Sequence, residues 1–444
     1  MFDLEKFHKP APRYTSYPTA PAWGELTAET YRLKLQEAKG PLSLYFHIPF
    51  CKTMCLYCGC SVVLNRKPEN ETLYVEYLLK EIDLVSTELG PRKKVSQLHF
   101  GGGTPTKLTM PLFRTLFEKI NLAFEIDFSK EIAIEIDPRT IDEEKLRFYQ
   151  ELGFNRISFG VQDTNEKVQE AVKRRQSYEM TRDTFELAKK LNFKGINIDL
   201  IYGLPYQTVQ TFQQTITHML EMRPDRISLF SYAKVPWLKP HQKAIPEQTL
   251  PTTAEKFQIY EQTRAALTTH GYIAIGMDHF ALEEDEISQC YREKRLQRNF
   301  QGYSAKLAEE MIGFGVTAIG FVGNTYAQNL KTLTHYYAAL DANTLPIQRG
   351  KVLTHDDLIR KWVIHTLMCQ FEFDKNTFEK KTSISFDIYF KDVDIQSLEH
   401  EKFIINLPDK LVVTPLGELF IRLIAMAFDA YAVESTKPLY SQSV

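Results

Sequence analysis

Cysteine is scarce in this chain: there are six in 444 residues, and four of them crowd into positions 51–60. So few excludes a disulfide-stapled scaffold, and bunching favours metal over disulfide. An excess of one charge is also missing. The 54 Lys and Arg against 56 Asp and Glu leave a formal net charge of −2, which excludes a polybasic nucleic-acid binder and an acidic tail. Long hydrophobic runs are absent as well. The opening MFDLEKFHKP has acidic residues and a proline where a secretory signal needs an apolar stretch. The most apolar late stretch, LFIRLIAMAFDAY, is broken by Arg422 and is too short to span a bilayer. A soluble, cytoplasmic, monomeric protein is expected, with no nucleic-acid or membrane partner.

A chain of this length predicts two or three domains. From about residue 40 to 280, short β-rich runs alternate with longer helical ones. LSLYFHI (42–48), VSQLHF (95–100), EIAIEID (131–137), NRISFG (155–160), INIDLIYG (196–203) and RISLFSY (226–232) read as strands, with GYIAIGM (271–277) as the last. ENETLYVEYLLKEIDLVSTEL (69–89) and MPLFRTLFEKINLAFE read as helices between them. This βαβα order predicts an α/β fold with parallel strands, a full or partial barrel, whose function gathers at the strands' C-terminal ends. An arm is expected at 1–39, the α/β domain at 40–340, and a small helical, winged-helix-like domain at 350–444, where IINLPDKLVVT resembles a hairpin wing.

Cys51, Cys55 and Cys58, spaced C-x3-C-x2-C, directly follow the first strand. Thiolates at this density suit zinc or an iron–sulfur cluster. Structural zinc usually requires a second, separated pair, and Cys290 and Cys369 are isolated. Three thiolates on one loop instead match three irons of a [4Fe–4S] cube, leaving the fourth iron open. Cys60 follows Gly59 and reads equally as a small buried thiol or as a residue near substrate, and not as a cluster ligand.

Other unusual residues sit at strand ends. Gly101-Gly102-Gly103-Thr104-Pro105 ends the second strand, and triple glycine permits close backbone approach, to a ligand or merely within a tight turn. Glu135 and Asp137 can accept from ribose hydroxyls or form a mouth salt bridge. Gln162, Asp199 and Ala233 occupy equivalent positions on later strands. Their shared rim is what gives them weight.

The cysteine motif followed by GGGTP resembles the radical S-adenosylmethionine (SAM) superfamily. PRYTSYPT (12–19), LYFHIPFC (44–51), CGC (58–60), IEIDPRT, GVQD, NIDLIYGLP, GMDHFA (276–281) and NFQGY (299–303) together resemble the oxygen-independent coproporphyrinogen III dehydrogenases (oxidases) over nearly the full length. The resemblance implies that Cys51, Cys55 and Cys58 hold a [4Fe–4S] cluster whose open iron binds SAM. It implies a first SAM at Tyr45, Gly102, Glu135 and Ile319. A second SAM would lie at Tyr57 (a phenylalanine in relatives), Gly103, Thr104, Gln162, Arg174, Asp199 and Ala233.

The implied reaction converts two propionates of coproporphyrinogen III to vinyl groups through a 5′-deoxyadenosyl radical, giving protoporphyrinogen IX. It requires an electron donor and a terminal acceptor that no motif identifies. PAPRYTSYPT reads as a lid over the site, or alternatively as a plug for the barrel bottom. Arg13, Lys239 and Lys243 are candidates for the substrate's carboxylates, although ordinary solvation suits the two lysines better. His47 and His279 read as structural. No side chain is assigned as catalytic.

SAKLAEEMIGFG (304–315) departs from the family pattern: its AKLAEEM favours helix where a polar loop belongs. A heme-binding chaperone of the same superfamily, or another radical SAM enzyme acting on tetrapyrroles, is the alternative. Cys60 and PRYTSYPT favour the dehydrogenase. A zinc-bound structural or nucleic-acid module is disfavoured by the single cysteine cluster and near-neutral charge.

Overall fold

The computed structural model describes residues 4–305, 310–432 and 440–443. Its centre is an open twelve-stranded sheet. In chain order the strands are β1 (Leu42–Ile48), β2 (Lys94–Gly102), β3 (Glu125–Ile136), β4 (Arg156–Gln162), β5 (Ile196–Tyr202), β6 (Arg226–Ser231), β7 (Tyr272–Ile275), β8 (His279–Leu282), β9 (Glu310–Phe314), β10 (Ile319–Val322), β11 (Thr325–Asn329) and β12 (Ile347–Val352). The spatial order is β12-β11-β10-β9-β1-β2-β3-β4-β5-β6-β8-β7. Strands β9 and β1 to β6 are parallel, and the five outer strands are antiparallel. The barrel is therefore partial.

The strands form because each pairs an apolar face with a polar one. In β5, Ile196, Ile198 and Leu200 are buried in the main core, while Asn197 and Asp199 are only partly buried. Two of the helices that cover this apolar side start with reciprocal side-chain caps. Thr208 and Thr211 cap helix Val209–Met222 reciprocally, and Thr252 and Glu255 do the same for Thr253–Thr269. Truncating a core residue such as Leu200 to alanine costs about 2–5 kcal/mol.

The expected seventh strand is not the last. It is an edge strand, paired antiparallel to β8, and the sheet grows on its opposite side by β9 to β12. The large sheet's final strand ends at Val352, and the arm region contains a helix, Ala28–Glu37. In the divergent 304–315 segment, residues 306–309 lie outside the described ones, and Glu310–Phe314 is a strand on β1. Tertiary pairing overrides its helical propensity.

The carboxy-terminal region packs a second core on helix His355–Gln370 and a three-stranded sheet whose strands Ile404–Asn406 and Lys410–Val413 form the expected hairpin. Phe7, Tyr14 and Tyr17 of the arm join that core. Among the described residues no helix is long and apolar enough to cross a membrane.

Candidate active site at the strand ends

Cys51 closes a two-residue strand, Phe50–Cys51, that pairs with Val63–Leu64 and pins both ends of the thiol loop. Its Sγ lies 3.4 Å from Thr104 Oγ1 at the end of the glycine run, and burial pushes the thiol up to about 11. Cys55 is buried, 3.8 Å from Arg174 Nη1 and 3.9 Å from Arg139 Nη2. Cys58 accepts from the backbone N–H of Cys60 at 3.4 Å. A hydrogen bond from the Cys60 side chain, with that N–H, brings Cys58 down to about 6 despite burial. Among the described residues no three His, Cys, Asp or Glu converge on one metal ion. The three thiols sit on one loop with no second cysteine pair beside them, a donor set that suits an iron–sulfur cluster better than a four-ligand structural zinc site.

The glycine run is explained by close packing. Gly102 has φ +122°, and a Cβ there would stand 2.8 Å from His47 Cε1 and 2.9 Å from the Ile48 carbonyl. At Gly103 it would stand 2.5 Å from the Pro49 carbonyl. The run lets the end of β2 close on the chain leading into Cys51. Glu135 in turn accepts from Gly102 N at 3.1 Å and lies 3.3 Å from His99 Nε2, with its carboxylate still partly exposed. Asp137 is the salt-bridge member of the pair, bound by Arg139 at 2.7 Å and Arg174 at 3.2 Å. Burial alone would raise its carboxyl, but the two guanidiniums outweigh that and hold it below the ordinary range.

Arg174 is buried. It reaches the Gly160 carbonyl, Asp137 and Cys55, and its Nε has no hydrogen-bond partner among the described residues. Gln162 ends β4 in the left-handed region (φ 72°), a strained position for a non-glycine residue. Asp199 accepts from Ser158 Oγ at 3.0 Å and Asn197 Nδ2 at 2.8 Å, and burial raises its carboxyl. Tyr57 packs with Leu56, Val168 and Tyr232, and Gln242 bridges the Tyr57 and Ala233 carbonyls. Tyr45 pairs in register with Gly313, which lies against the Ile319 backbone, so Ile319 joins the rim from the antiparallel extension.

The arm meets the mouth side. Arg13 pairs with Asp278 and lies 5.5 Å from the Phe230 ring at the C-terminal end of β6. A cavity of about 40 Å³ beside it is lined by Arg13, Asp278, Arg422 and Tyr202 among others. A cavity of about 420 Å³ at Thr164–Lys167 and His218 touches none of the thiols. Lys243 is exposed, as expected. Lys239 is partly exposed and also donates to the Cys60 carbonyl at 2.7 Å. His47 bonds Ser61 O at 2.9 Å and is held neutral by burial, while His279 bonds Asp278 at 2.7 Å. The bracing residues His241 and Gln242 and the buried Arg298 beside Asp278 were not singled out in the sequence. The run KPHQK opposite the cysteine loop was the available signal.

The comparisons agree on one family. Residues 45–219 match the radical SAM superfamily, and residues 353–420 match the HemN C-terminal domain. The chain is 42% identical over 455 residues to the oxygen-independent coproporphyrinogen III oxidase of Synechocystis sp., covering 99% of this chain and 97% of that one. It is 40% identical over 432 residues to the Escherichia coli enzyme of the same name, covering 96% and 94%. The solved structure of the Escherichia coli coproporphyrinogen III oxidase, described as a radical SAM enzyme, superposes with a TM-score of 0.91 at 38% identity, covering 97% and 99%.

Proposed function

The chain belongs to the oxygen-independent coproporphyrinogen III oxidase family of radical SAM enzymes, and from that premise we propose that it oxidatively decarboxylates coproporphyrinogen III to protoporphyrinogen IX. The observation that carries this reading is the three-thiol loop set at the strand ends of a chain related to these oxidases from end to end. When bound, the reduced cluster and SAM supply hydrogen-atom abstraction, which no side-chain base performs on an unactivated propionate carbon.

In this proposal the chain's residues hold and orient. Cys51, Cys55 and Cys58 hold the cluster. The donor chemistry fits: three separate thiols, one of them already shifted toward thiolate, stand beside a buried guanidinium with an unsatisfied Nε. Tyr45, Gly102, Glu135 and Ile319 take one SAM. The partly exposed Glu135 carboxylate is anchored by Gly102 and keeps capacity to accept from ribose hydroxyls. Tyr57, Gly103, Thr104, Gln162, Arg174, Asp199 and Ala233 take a second.

Basic charge at the mouth suits a tetracarboxylate. Arg13, Arg298, Arg422 and Lys256 act on one another around the single carboxylate of Asp278, and burial with Arg422 and Arg13 brings Lys256 down to about 8. The described arm residues 4–39 serve as a lid that excludes water, and residues 350–432 form the wall it closes against. Each propionate loses one hydrogen atom, then carbon dioxide and one electron. The balance therefore needs a one-electron acceptor as well as a donor to the cluster.

Anaerobic reconstitution, followed by reductant, SAM and coproporphyrinogen III, tests this by mass spectrometry. Sequential loss of two carboxyls with SAM cleavage is expected. Stable heme binding without turnover would overturn the assignment in favour of a chaperone. Cys51→Ala should lose both the cluster's visible absorption and SAM cleavage.

A further inference from the structure

Gly59 lies between Cys58 and Cys60 in a loop without regular structure, and nothing stands within 4 Å of where its Cβ would be. Such a peptide is free to rotate unless its neighbours are held. Here one short segment holds them. Gln242 Nε2 donates to the Tyr57 carbonyl at 2.9 Å, His241 Nε2 to the Cys58 carbonyl at 2.8 Å, and Lys239 Nζ to the Cys60 carbonyl at 2.7 Å. A carbonyl only accepts, so the His241 contact fixes the proton on Nε2. Gln242 is fully buried and itself fastened, accepting from Val235 N at 2.7 Å and donating to Ala233 O at 3.1 Å. The turn Pro240–Ala244 begins on a proline, which limits its backbone freedom.

With the carbonyls on both sides of the Gly59–Cys60 peptide pinned, that peptide can present its N–H to Cys58 Sγ, where it stands at 3.4 Å. An N–H donated to a cluster sulfur, and an ammonium a few ångströms behind it, both favour the more electron-rich state.

We propose that Lys239, His241 and Gln242 are positioning residues that fix the Tyr57–Cys60 backbone, and that through it they raise the cluster's reduction potential and slow its loss. The proposal rests on the cluster reading above and adds three residues from a distant part of the chain to it.

The test uses the full chain, anaerobically reconstituted, without substrate. The midpoint potential is read by a redox titration followed by electron paramagnetic resonance. Cluster lability is read as the rate of iron release to an iron chelator. Lys239→Met and His241→Phe should each move the midpoint to lower potential and speed iron release severalfold, the double variant more, and Lys239→Arg should restore most of both. An unchanged midpoint and release rate in the double variant would overturn the proposal. If the double variant is insoluble, parent-like values in both single variants do the same. A lowered melting temperature with no shift in potential would mark a purely structural role and also overturn it. A parent protein that takes up no cluster rejects the proposed function itself, whereas a clustered parent with indifferent variants rejects only the brace.

Discussion

Asp278 and Glu81 are both buried carboxylates, and their surroundings are opposite. Asp278 sits where the arm meets the sheet edge, bonded to His279, paired with Arg13 and 3.8 Å from the buried Arg298. Burial alone would raise its carboxyl, yet the cations hold it well below the ordinary range. Among the described residues Glu81, on helix Pro68–Leu89, accepts from neutral donors alone: Tyr336 OH at 2.6 Å, Gly315 N at 2.7 Å and Asn329 Nδ2 at 2.6 Å. Burial pushes it up to about 7. The difference separates two ways of joining segments. The mouth is assembled by charge, around a carboxylate outnumbered by cations. The extension β9–β11 is docked to its helix by a network of neutral donors.

The largest effect that would break this contrast is Asp278→Asn. It leaves Arg298 and His279 buried beside a neutral side chain, and removing one partner of a buried ion pair costs about 3–5 kcal/mol. A urea midpoint at pH 7 should fall accordingly, and the arm should become the first site of limited proteolysis. Because the folded carboxyl is depressed, its stabilisation is present above the unfolded value of about 3.9 and is lost as pH falls through that range. The gap between parent and variant should therefore narrow in acid. A gap that widened would mean that Asp278 is not the ion holding the junction.

Glu81→Gln sharpens the other side. A folded carboxyl raised from 4.5 to about 7 binds a proton that the unfolded chain has already released, so its contribution is full below pH 4.5 and lost as pH rises to about 7. The parent should lose about 3 kcal/mol over that window from this group. The glutamine variant should be less stable than the parent at pH 5, by about 1 kcal/mol for the mismatched Asn329 contact, and should overtake it near pH 8. Parallel stability curves from pH 5 to 8 would refute the raised value.

Arg13→Gln should act on binding more than on folding. The side chain is partly exposed, so its pair with Asp278 is screened and worth about 1 kcal/mol or less. A several-fold rise in KM for the tetrapyrrole with kcat nearly intact is expected. A variant with unchanged KM would leave the arm as packing alone.

The contrast also shows what was legible in the amino-acid order. Strands β1 to β6 were readable because each carries its own periodicity, and the thiol loop because three soft ligands in eight residues have few other uses. The extension β9–β12 was not readable in the same way, since β9 becomes a strand only by pairing with β1, some 270 residues earlier. One local signal was there: Gly323 and Asn324 both have positive φ and join β10 to β11 as a two-residue hairpin turn, a recognisable Gly-Asn pair. Glu81 had no signal at all, reading as one more acid on an amphipathic helix. The brace on the cysteine loop was hidden because Lys239 looks like any surface lysine until its partner, a backbone carbonyl, is seen.

Tyr336→Phe probes the neutral network by its smallest change of structure, a single hydroxyl. The phenol is one of three donors to Glu81 and is itself fully buried, so the change removes one hydroxyl and leaves the ring's packing in place. Where Glu81 is ionised, above about pH 7, the lost bond is to a charged acceptor and costs about 1.5–3 kcal/mol. Where Glu81 is protonated, near pH 5, the bond lost is between neutral groups and costs nearer 1 kcal/mol. The variant should therefore be destabilised more at pH 8 than at pH 5, steepening the pH dependence that Glu81→Gln abolishes. Combining the two changes should cancel that steepening, because a glutamine has no charged form for the phenol to discriminate. Tyr336→Phe losses that are equal at both pH values, or that persist unaltered in the double variant, would mean that the phenol supports the fold without reading the charge on Glu81.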